Sequence, residues 1–136
     1  MAAGGCDMDP SIRLGEPLRI EAVKPSEVRL GDVIVFKRHV LIGHRVMGKI
    51  CFAGMLYFMA RGDRCPYVDS PVSERILVGR VSGKHIPVGS SVRHMFLFAV
   101  MLLWYVPASR FARSSAFRRV NALARRVVSY SLPKVP

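Results

Sequence analysis

The sequence contains no Asp or Glu after Glu74, although eleven of its lysines and arginines follow that position. The first 74 residues are nearly neutral, with ten basic and nine acidic side chains. A near-neutral body followed by an acid-free basic tail predicts a folded module with an anchor for an anionic surface. Phospholipid headgroups and nucleic acid both fit this pattern, and composition does not separate them.

Cysteine is scarce, and the three present, Cys6, Cys51 and Cys65, show no Cys-x-x-Cys spacing. Their odd number and wide separation exclude a disulfide framework and argue against a zinc site, even with His39 or His44 as added ligands. The start of the chain shows neither a basic leader nor an apolar signal core. We therefore expect reduced thiols, no metal and no other cofactor.

Long hydrophobic runs are also missing, because the longest covers only the twelve residues 95–106. As a helix this run would measure about 18 Å, against roughly 30 Å of membrane hydrocarbon. It is too short to cross a membrane alone. A buried helix, an interfacial segment and a re-entrant segment remain open, and Trp104 and Tyr105 occupy the end where an interfacial aromatic belt would lie.

The chain has 136 residues, of which 51% are hydrophobic, and its mean hydropathy is positive at +0.26 despite a net charge of +12. This length suits one compact domain and excludes a multidomain enzyme. Intrinsic disorder is disfavoured as well, since disordered chains combine high charge with low apolar content. We expect a chain that buries a core.

Short apolar runs separated by Gly and Pro predict a mainly β body up to about residue 81, followed by helix from about residue 92. The expected strands are residues 18–22, 33–36, 41–42, 45–47, 50–52, 55–59 and 76–78. This interpretation divides the chain into a β domain, residues 1–91, and a tail, residues 92–136.

Within the tail, residues 115–129 predict a basic amphipathic helix. On a helical wheel its apolar positions fall within an arc of about 140°, opposite its arginines. The apolar positions are Ala116, Phe117, Val120, Leu123, Ala124, Val127 and Val128, and the arginines are Arg118, Arg119, Arg125 and Arg126. Such a helix packs either on its own domain or on a membrane surface, and the neighbouring apolar run favours the membrane.

Six stretches of the first 89 residues carry a combined pattern. They are Gly-Cys-Asp-Met-Asp-Pro-Ser-Ile-Arg-Leu-Gly-Glu (5–16), Gly-Asp-Val-Ile-Val-Phe (31–36), Ile-Gly-His-Arg-Val (42–46), Tyr-Phe-Met-Ala-Arg-Gly-Asp with Val-Asp (57–63, 68–69), Ile-Leu-Val-Gly-Arg-Val (76–81) and Ile-Pro-Val-Gly (86–89). In order and spacing they resemble the motifs of the type I signal peptidase family. The histidine before Arg45 is similar to the archaeal and endoplasmic-reticulum branch, which uses Ser, His and Asp.

The resemblance implies a signal-peptidase or LexA-like β fold and a serine endopeptidase that acts on signal or leader peptides at a membrane. It assigns His44 as the base and Asp69 as the carboxylate that orients it, with Asp63 as second choice for that role. Asp7 stands where the family has its nucleophilic serine. An added carboxylate favours imidazolium, which is a poor base, so ordinary serine proteolysis should fail. Cys6 is the alternative nucleophile, although alternation in an extended segment aims it away from His44.

Three functions therefore stay open: a membrane-associated signal-type peptidase, an inactive homologue that binds an extended peptide as an added strand, and a basic nucleic-acid binder. Residues 1–94 show no helix-turn-helix or aromatic platform, which argues against the third. The expected partners are a protein with a signal or leader segment and an anionic membrane, contacted through residues 95–130. The basic tail favours the cytoplasmic face of that membrane.

Overall fold

The computed structural model describes residues 8–89, 92–108, 113–130 and 132. Within these ranges six strands form one antiparallel sheet in the order β1-β6-β2-β3-β4-β5, and two helices follow. The strands are β1 (Ile20–Glu21), β2 (Val33–Lys37), β3 (Leu41–Phe52), β4 (Met55–Arg61), β5 (Val72–Ser73) and β6 (Leu77–Val81). The helices are α1 (Val92–Ala108) and α2 (Ser115–Tyr130). The structure confirms the prediction of a mainly β body followed by a helical C-terminal tail.

Strand β3 differs most from the sequence-based expectation. Three short strands were expected between residues 41 and 52, but the structure has one strand of twelve residues with an irregular register between Val46 and Gly48. Gly48 does not end the strand. A β-carbon at this position would lie 3.0 Å from Met59 Cε and 3.4 Å from Met95 Sδ, so the glycine leaves room for α1 to approach the sheet.

The remaining boundaries differ less. The first expected strand is reduced to the two residues of β1. Helix α1 begins at Val92 and continues through Pro107, which lies in its last turn, and α2 covers the predicted amphipathic segment. No helix in the described ranges is both long enough and apolar enough to cross a membrane.

The sheet buries side chains on both faces, as strand β2 shows. Val33 and Val35 belong to one apolar cluster, while Ile34 and Phe36 belong to another, because successive side chains of a strand point to opposite faces. The first cluster is completed by Met8, Ile12 and Val81, and the second by Val28, Val46, Phe58, Ala60 and Val72. The first predicted motif, from Met8 onward, therefore packs on one face of the sheet.

The helices complete the core of the β body. A third buried cluster joins sheet and loop residues to side chains of both helices: Met47, Met59, Val68, Phe98, Met101, Leu102, Val128 and Leu132. The two helices also contact each other, with the Trp104 and Phe117 rings stacked at a centroid distance of 5.2 Å. Burial of these apolar side chains stabilises the sheet and helices together.

The turn before β2 depends on a glycine. Gly31 has φ of +94°, and a β-carbon there would lie 1.9 Å from the carbonyl oxygen of Ile86. Only glycine fits this conformation and this close approach. The turn places Asp32 in the interior, where its residue is 1% exposed.

Asp32 links this turn to β6 and to the segment that follows β6. Its carboxylate accepts hydrogen bonds from the Arg29 amide at 2.9 Å, from His85 Nδ1 at 2.8 Å and from Arg80 Nη1 at 3.3 Å. Burial alone would raise the pKa of Asp32, but these three donors outweigh it and hold the pKa below its usual value of 3.8. The ionised carboxylate is therefore part of the folded structure.

This lowered pKa predicts acid sensitivity. Because the unfolded chain binds the proton more readily, the stabilisation is present above pH 3.8 and is lost as the pH falls through the folded-state pKa. In urea unfolding, the free energy of unfolding of the wild type should decrease as the pH falls below 3.8. Asp32→Asn should be less stable than the wild type near pH 7, and its free energy of unfolding should decrease less steeply with falling pH. Glu27→Gln, at an exposed position, is the control. If the free energy of unfolding depended on pH in the same way for the wild type and for Asp32→Asn, this role of Asp32 would be contradicted.

Candidate active site

His44 and Asp69 form the centre of the candidate site. His44 lies on β3, opposite Ile34 in register, and its ring contacts the edge of Phe36 at a centroid distance of 6.3 Å. Its Nδ1 atom is hydrogen-bonded to Asp69 Oδ2. The two side chains are only 9% and 15% exposed. The structure thus brings together the predicted base and its predicted orienting carboxylate, which are 25 residues apart in the chain.

Asp69 is directed towards the ring by its backbone. It lies in the loop between β4 and β5, where its amide donates to the Ala60 carbonyl at 2.8 Å. The next residue, Ser70, accepts a hydrogen bond at its carbonyl from Arg38 Nη2 at 2.6 Å. The chain is therefore held on both sides of the Asp69 side chain.

Asp63, the second choice for the orienting role, has a different partner. Its two carboxylate oxygens accept from Nε and Nη2 of Arg45, each at 2.8 Å, in a bidentate ion pair. The side chains of Arg45 and Asp63 are 0% and 3% exposed. Arg45 Nη1 also donates to the carbonyls of Gly31 and Lys84. The structure assigns Asp63 to Arg45 rather than to His44.

The two acid–base pairs lie on different faces of β3. Residues opposite each other in an antiparallel pair share a face, so His44 lies with Ile34 and Arg45 lies with Val33. Arg61, opposite Arg45 on β4, is 7% exposed. Burial lowers the pKa of Arg61, and the nearby Asp63 charge acts in the opposite direction. Asp63 thus stabilises positive charge in the interior.

The predicted nucleophile position, Asp7, and its alternative, Cys6, lie outside the described residues. The described part of that motif, from Met8 onward, packs against the β body. Met8 is buried against the Val33 face of the sheet, Lys84 Nζ donates to the Ser11 carbonyl at 2.9 Å, and Arg64 pairs with Asp9 at 3.1 Å.

The remaining cysteines and His39 do not form a site. Cys51 is exposed and Cys65 is partly buried, while His39 is exposed. In the part of the chain that the structure describes, no group of three or more His, Cys, Asp and Glu side chains is placed to hold a metal ion.

Residues of α2 reach this site, which sequence reasoning did not anticipate. Arg125 Nη2 lies 3.8 Å from Asp69 Oδ1, and Asn121 donates to the Ser70 hydroxyl at 2.8 Å. The helical wheel places Arg125 with the other arginines, opposite the apolar arc. A weak signal was available, because Asn121, Arg125 and Ser129 repeat every four residues and so share one side of the helix.

The two carboxylates should differ in their importance for folding. Asp63→Asn leaves a fully buried guanidinium without its counter-charge, so we expect a loss of about 3–5 kcal/mol in the free energy of unfolding. Asp69→Asn weakens one hydrogen bond and leaves no buried guanidinium without its counter-charge, so the loss should be about 1 kcal/mol. Urea unfolding at pH 7 measures both. Equal losses would contradict this division between a structural pair and a candidate site.

No family model, curated protein or solved structure matches this chain. A functional assignment therefore depends on its own residues and their geometry.

Proposed function

We propose that this chain is a homologue of type I signal peptidases that binds an extended signal or leader segment beside His44 at a membrane surface. Because Asp7 occupies the nucleophile position, the protein binds the peptide without cleaving it. The observation that carries this proposal is the hydrogen bond between His44 Nδ1 and Asp69 Oδ2. A signal-peptidase or LexA-like fold is part of the same proposal.

The His44–Asp69 bond suits the base of a serine-type peptidase. With Nδ1 bonded to a carboxylate, Nε2 is the ring nitrogen that takes the nucleophile's proton, and the carboxylate stabilises the imidazolium that forms. Burial of both side chains keeps competing water away from the bond. The pair supplies two of the three groups that such an enzyme needs.

The third group is the one in which this sequence departs from the family pattern. Asp7 provides a carboxylate where a hydroxyl is required to attack the peptide carbonyl, so the base has no proton to remove from a nucleophile. Cys6 is the only adjacent residue with a nucleophilic side chain. These residue types favour peptide binding over cleavage and leave cleavage through Cys6 as the alternative.

The edge of β3 next to His44 suits an extended peptide. Strand β2 pairs with residues 41–45 on one side, but β4 ends at Arg61, opposite Arg45. Among the described strands none pairs with the other side of residues 41–44. Val40 and Leu41 at this edge are 66% and 47% exposed. A peptide added here as a strand would gain backbone hydrogen bonds and apolar contacts close to His44.

The outer sides of the helices support location at a membrane surface. Each helix carries an exposed apolar stripe at helical spacing: Val92, Phe96, Val100 and Leu103 on α1, and Val120, Leu123, Val127 and Tyr130 on α2. Arg93, Arg119 and Arg126 are exposed beside these stripes, about 60–80° round the helix from the stripe centre. An apolar stripe flanked by arginines is typical of a helix lying on anionic lipid.

Restoring the hydroxyl tests the site. We expect Asp7→Ser to cleave a fluorescein-labelled synthetic peptide that has an apolar core ending in Ala-x-Ala, while the unchanged protein does not. Adding His44→Ala or Asp69→Asn to Asp7→Ser should lower kcat by at least about a thousandfold, because the base or its orientation is lost. Cleavage by the unchanged chain, abolished by Cys6→Ala, would instead identify a cysteine peptidase.

Binding of the same peptide to the unchanged protein tests the docking edge. Leu41→Asp should weaken binding, measured by fluorescence anisotropy, because it places a charge against an apolar peptide. Val78→Asp is the matched control, since Val78 is 46% exposed on β6. Equal effects of the two substitutions, or no peptide binding by any variant, would contradict docking at β3.

Vesicle sedimentation tests the membrane surface. Phe96→Glu and Leu123→Glu should reduce binding to vesicles of anionic phospholipid, whereas Val78→Glu should not. The double variant with Arg119→Glu and Arg126→Glu should bind these vesicles at least about thirtyfold more weakly, since each basic side chain near the surface contributes about 1 kcal/mol to the free energy of binding. Added salt should weaken the wild-type interaction. Tight, salt-sensitive binding to DNA with no binding to vesicles would favour the nucleic-acid function instead.

A further inference from the structure

We infer that α2 positions the His44–Asp69 pair by holding the loop that carries Asp69, and that Arg125 is the chief positioning residue. The chemical meaning of this role rests on the proposed function, because it concerns the orientation of the proposed base. The geometry behind it does not depend on any substrate.

Three side chains of α2 hold successive points of the loop between β4 and β5. They lie at intervals of four residues, so they project from one side of the helix. The contacts are Ser129 Oγ to the Pro66 carbonyl at 2.8 Å, Arg125 Nε to the Val68 carbonyl at 2.5 Å and Asn121 Nδ2 to Ser70 Oγ at 2.8 Å. Asp69 lies between the second and third points.

Arg125 also acts on the Asp69 carboxylate itself. Its Nη2 is 3.8 Å from Oδ1, while the other oxygen, Oδ2, is bonded to His44. The guanidinium lies over the Tyr67 ring at 5.2 Å from its centroid, and the side chain is 25% exposed. An aromatic ring attracts a guanidinium that lies over its face, which restrains the movement of the guanidinium. The attraction on Oδ1 therefore limits rotation of the carboxylate and keeps Oδ2 directed at the imidazole.

The other arginines of α2 show that this arrangement is specific to Arg125. Arg118, Arg119 and Arg126 are exposed on the same helix. Val128 attaches α2 to the cluster shared with the sheet, and Phe117 packs on the Trp104 ring of α1. Docking of α2 therefore does not require Arg125. The contacts of Arg125 are concentrated on residues 67–69.

Nuclear magnetic resonance of the full-length, otherwise unchanged protein tests this inference. The measured quantity is the rate at which the His44 Nδ1 proton exchanges with water, with the signal assigned by its loss in His44→Gln. We expect Arg125→Ala to raise this rate at least about tenfold, because the Asp69 carboxylate loses the charge that limits its rotation and its loop loses a charge-assisted hydrogen bond. Arg118→Ala, the matched control at an exposed position of the same helix, should leave the rate unchanged.

A conservative variant separates positioning from general stability. Arg125→Lys keeps the charge but loses the planar fork, so we expect an intermediate exchange rate and an unchanged melting temperature. If Arg125→Ala does not fold, Asn121→Ala gives the second measurement, because it frees Ser70 without changing any charge, and faster exchange is again expected. The same exchange rate in wild type, Arg125→Lys and every folded variant would overturn the inference.

Activity provides a separate measurement if Asp7→Ser cleaves peptide. In that background Arg125→Ala should lower kcat more than it raises KM, as expected for a residue that orients the base rather than binds the substrate. An unchanged kcat would overturn the inference. If Asp7→Ser is inert, the proposed hydrolytic chemistry fails, while the exchange rate still decides whether α2 positions the pair.

Discussion

The interior guanidinium of Arg45 is the constraint on which the rest of this structure depends. A charged group that is wholly removed from water must have its donors bonded, or the fold loses several kcal/mol. Arg45 meets this requirement with the Asp63 carboxylate and the carbonyls of Gly31 and Lys84. These acceptors come from the turn before β2, the segment after β6 and the turn after β4. One side chain of β3 thus fixes the relative positions of three connections.

The position of the candidate site depends on this arrangement, because His44 directly precedes Arg45 on β3. The loop after β4 begins at a carboxylate held by Arg45 and continues past Asp69, whose amide is bonded to Ala60. It then meets side chains of α2 before β5 begins. The loop is therefore held along its whole length, and its one carboxylate beside His44 is presented at a defined angle. A base and its orienting group need this rigidity, since small displacements remove the benefit of the pair.

Helix α2 has two different apolar surfaces, and this division explains how one segment serves both body and exterior. Val128 is buried in the cluster shared with the sheet and Phe117 is buried against α1, whereas Leu123 and Val127 remain exposed. The predicted apolar arc was wide enough for two contacts. Packing of the helix with Asn121, Arg125 and Ser129 towards the loop turned part of that arc inward and left the rest outside.

Local sequence pattern was sufficient for much of the architecture. β-Branched runs between glycines identified most strands, and helical periodicity identified α2 nearly to its ends. His44 and Asp69, which the fold brings into contact, were singled out through the resemblance of the ordered motifs to a known family. The strands and the helix depend on backbone sterics and on residue types that are neighbours in the chain.

Long-range partners were decided only by the tertiary structure. The continuity of β3 past Gly48 follows from its pairing with β2 and then β4, and the bond of Asp63 to Arg45 follows from burial of that guanidinium. The approach of Arg125 to Asp69 joins residues 56 positions apart, across the docking of a helix on a sheet. No local periodicity encodes such pairings, because each depends on how distant elements fill the same interior and satisfy each other's charges.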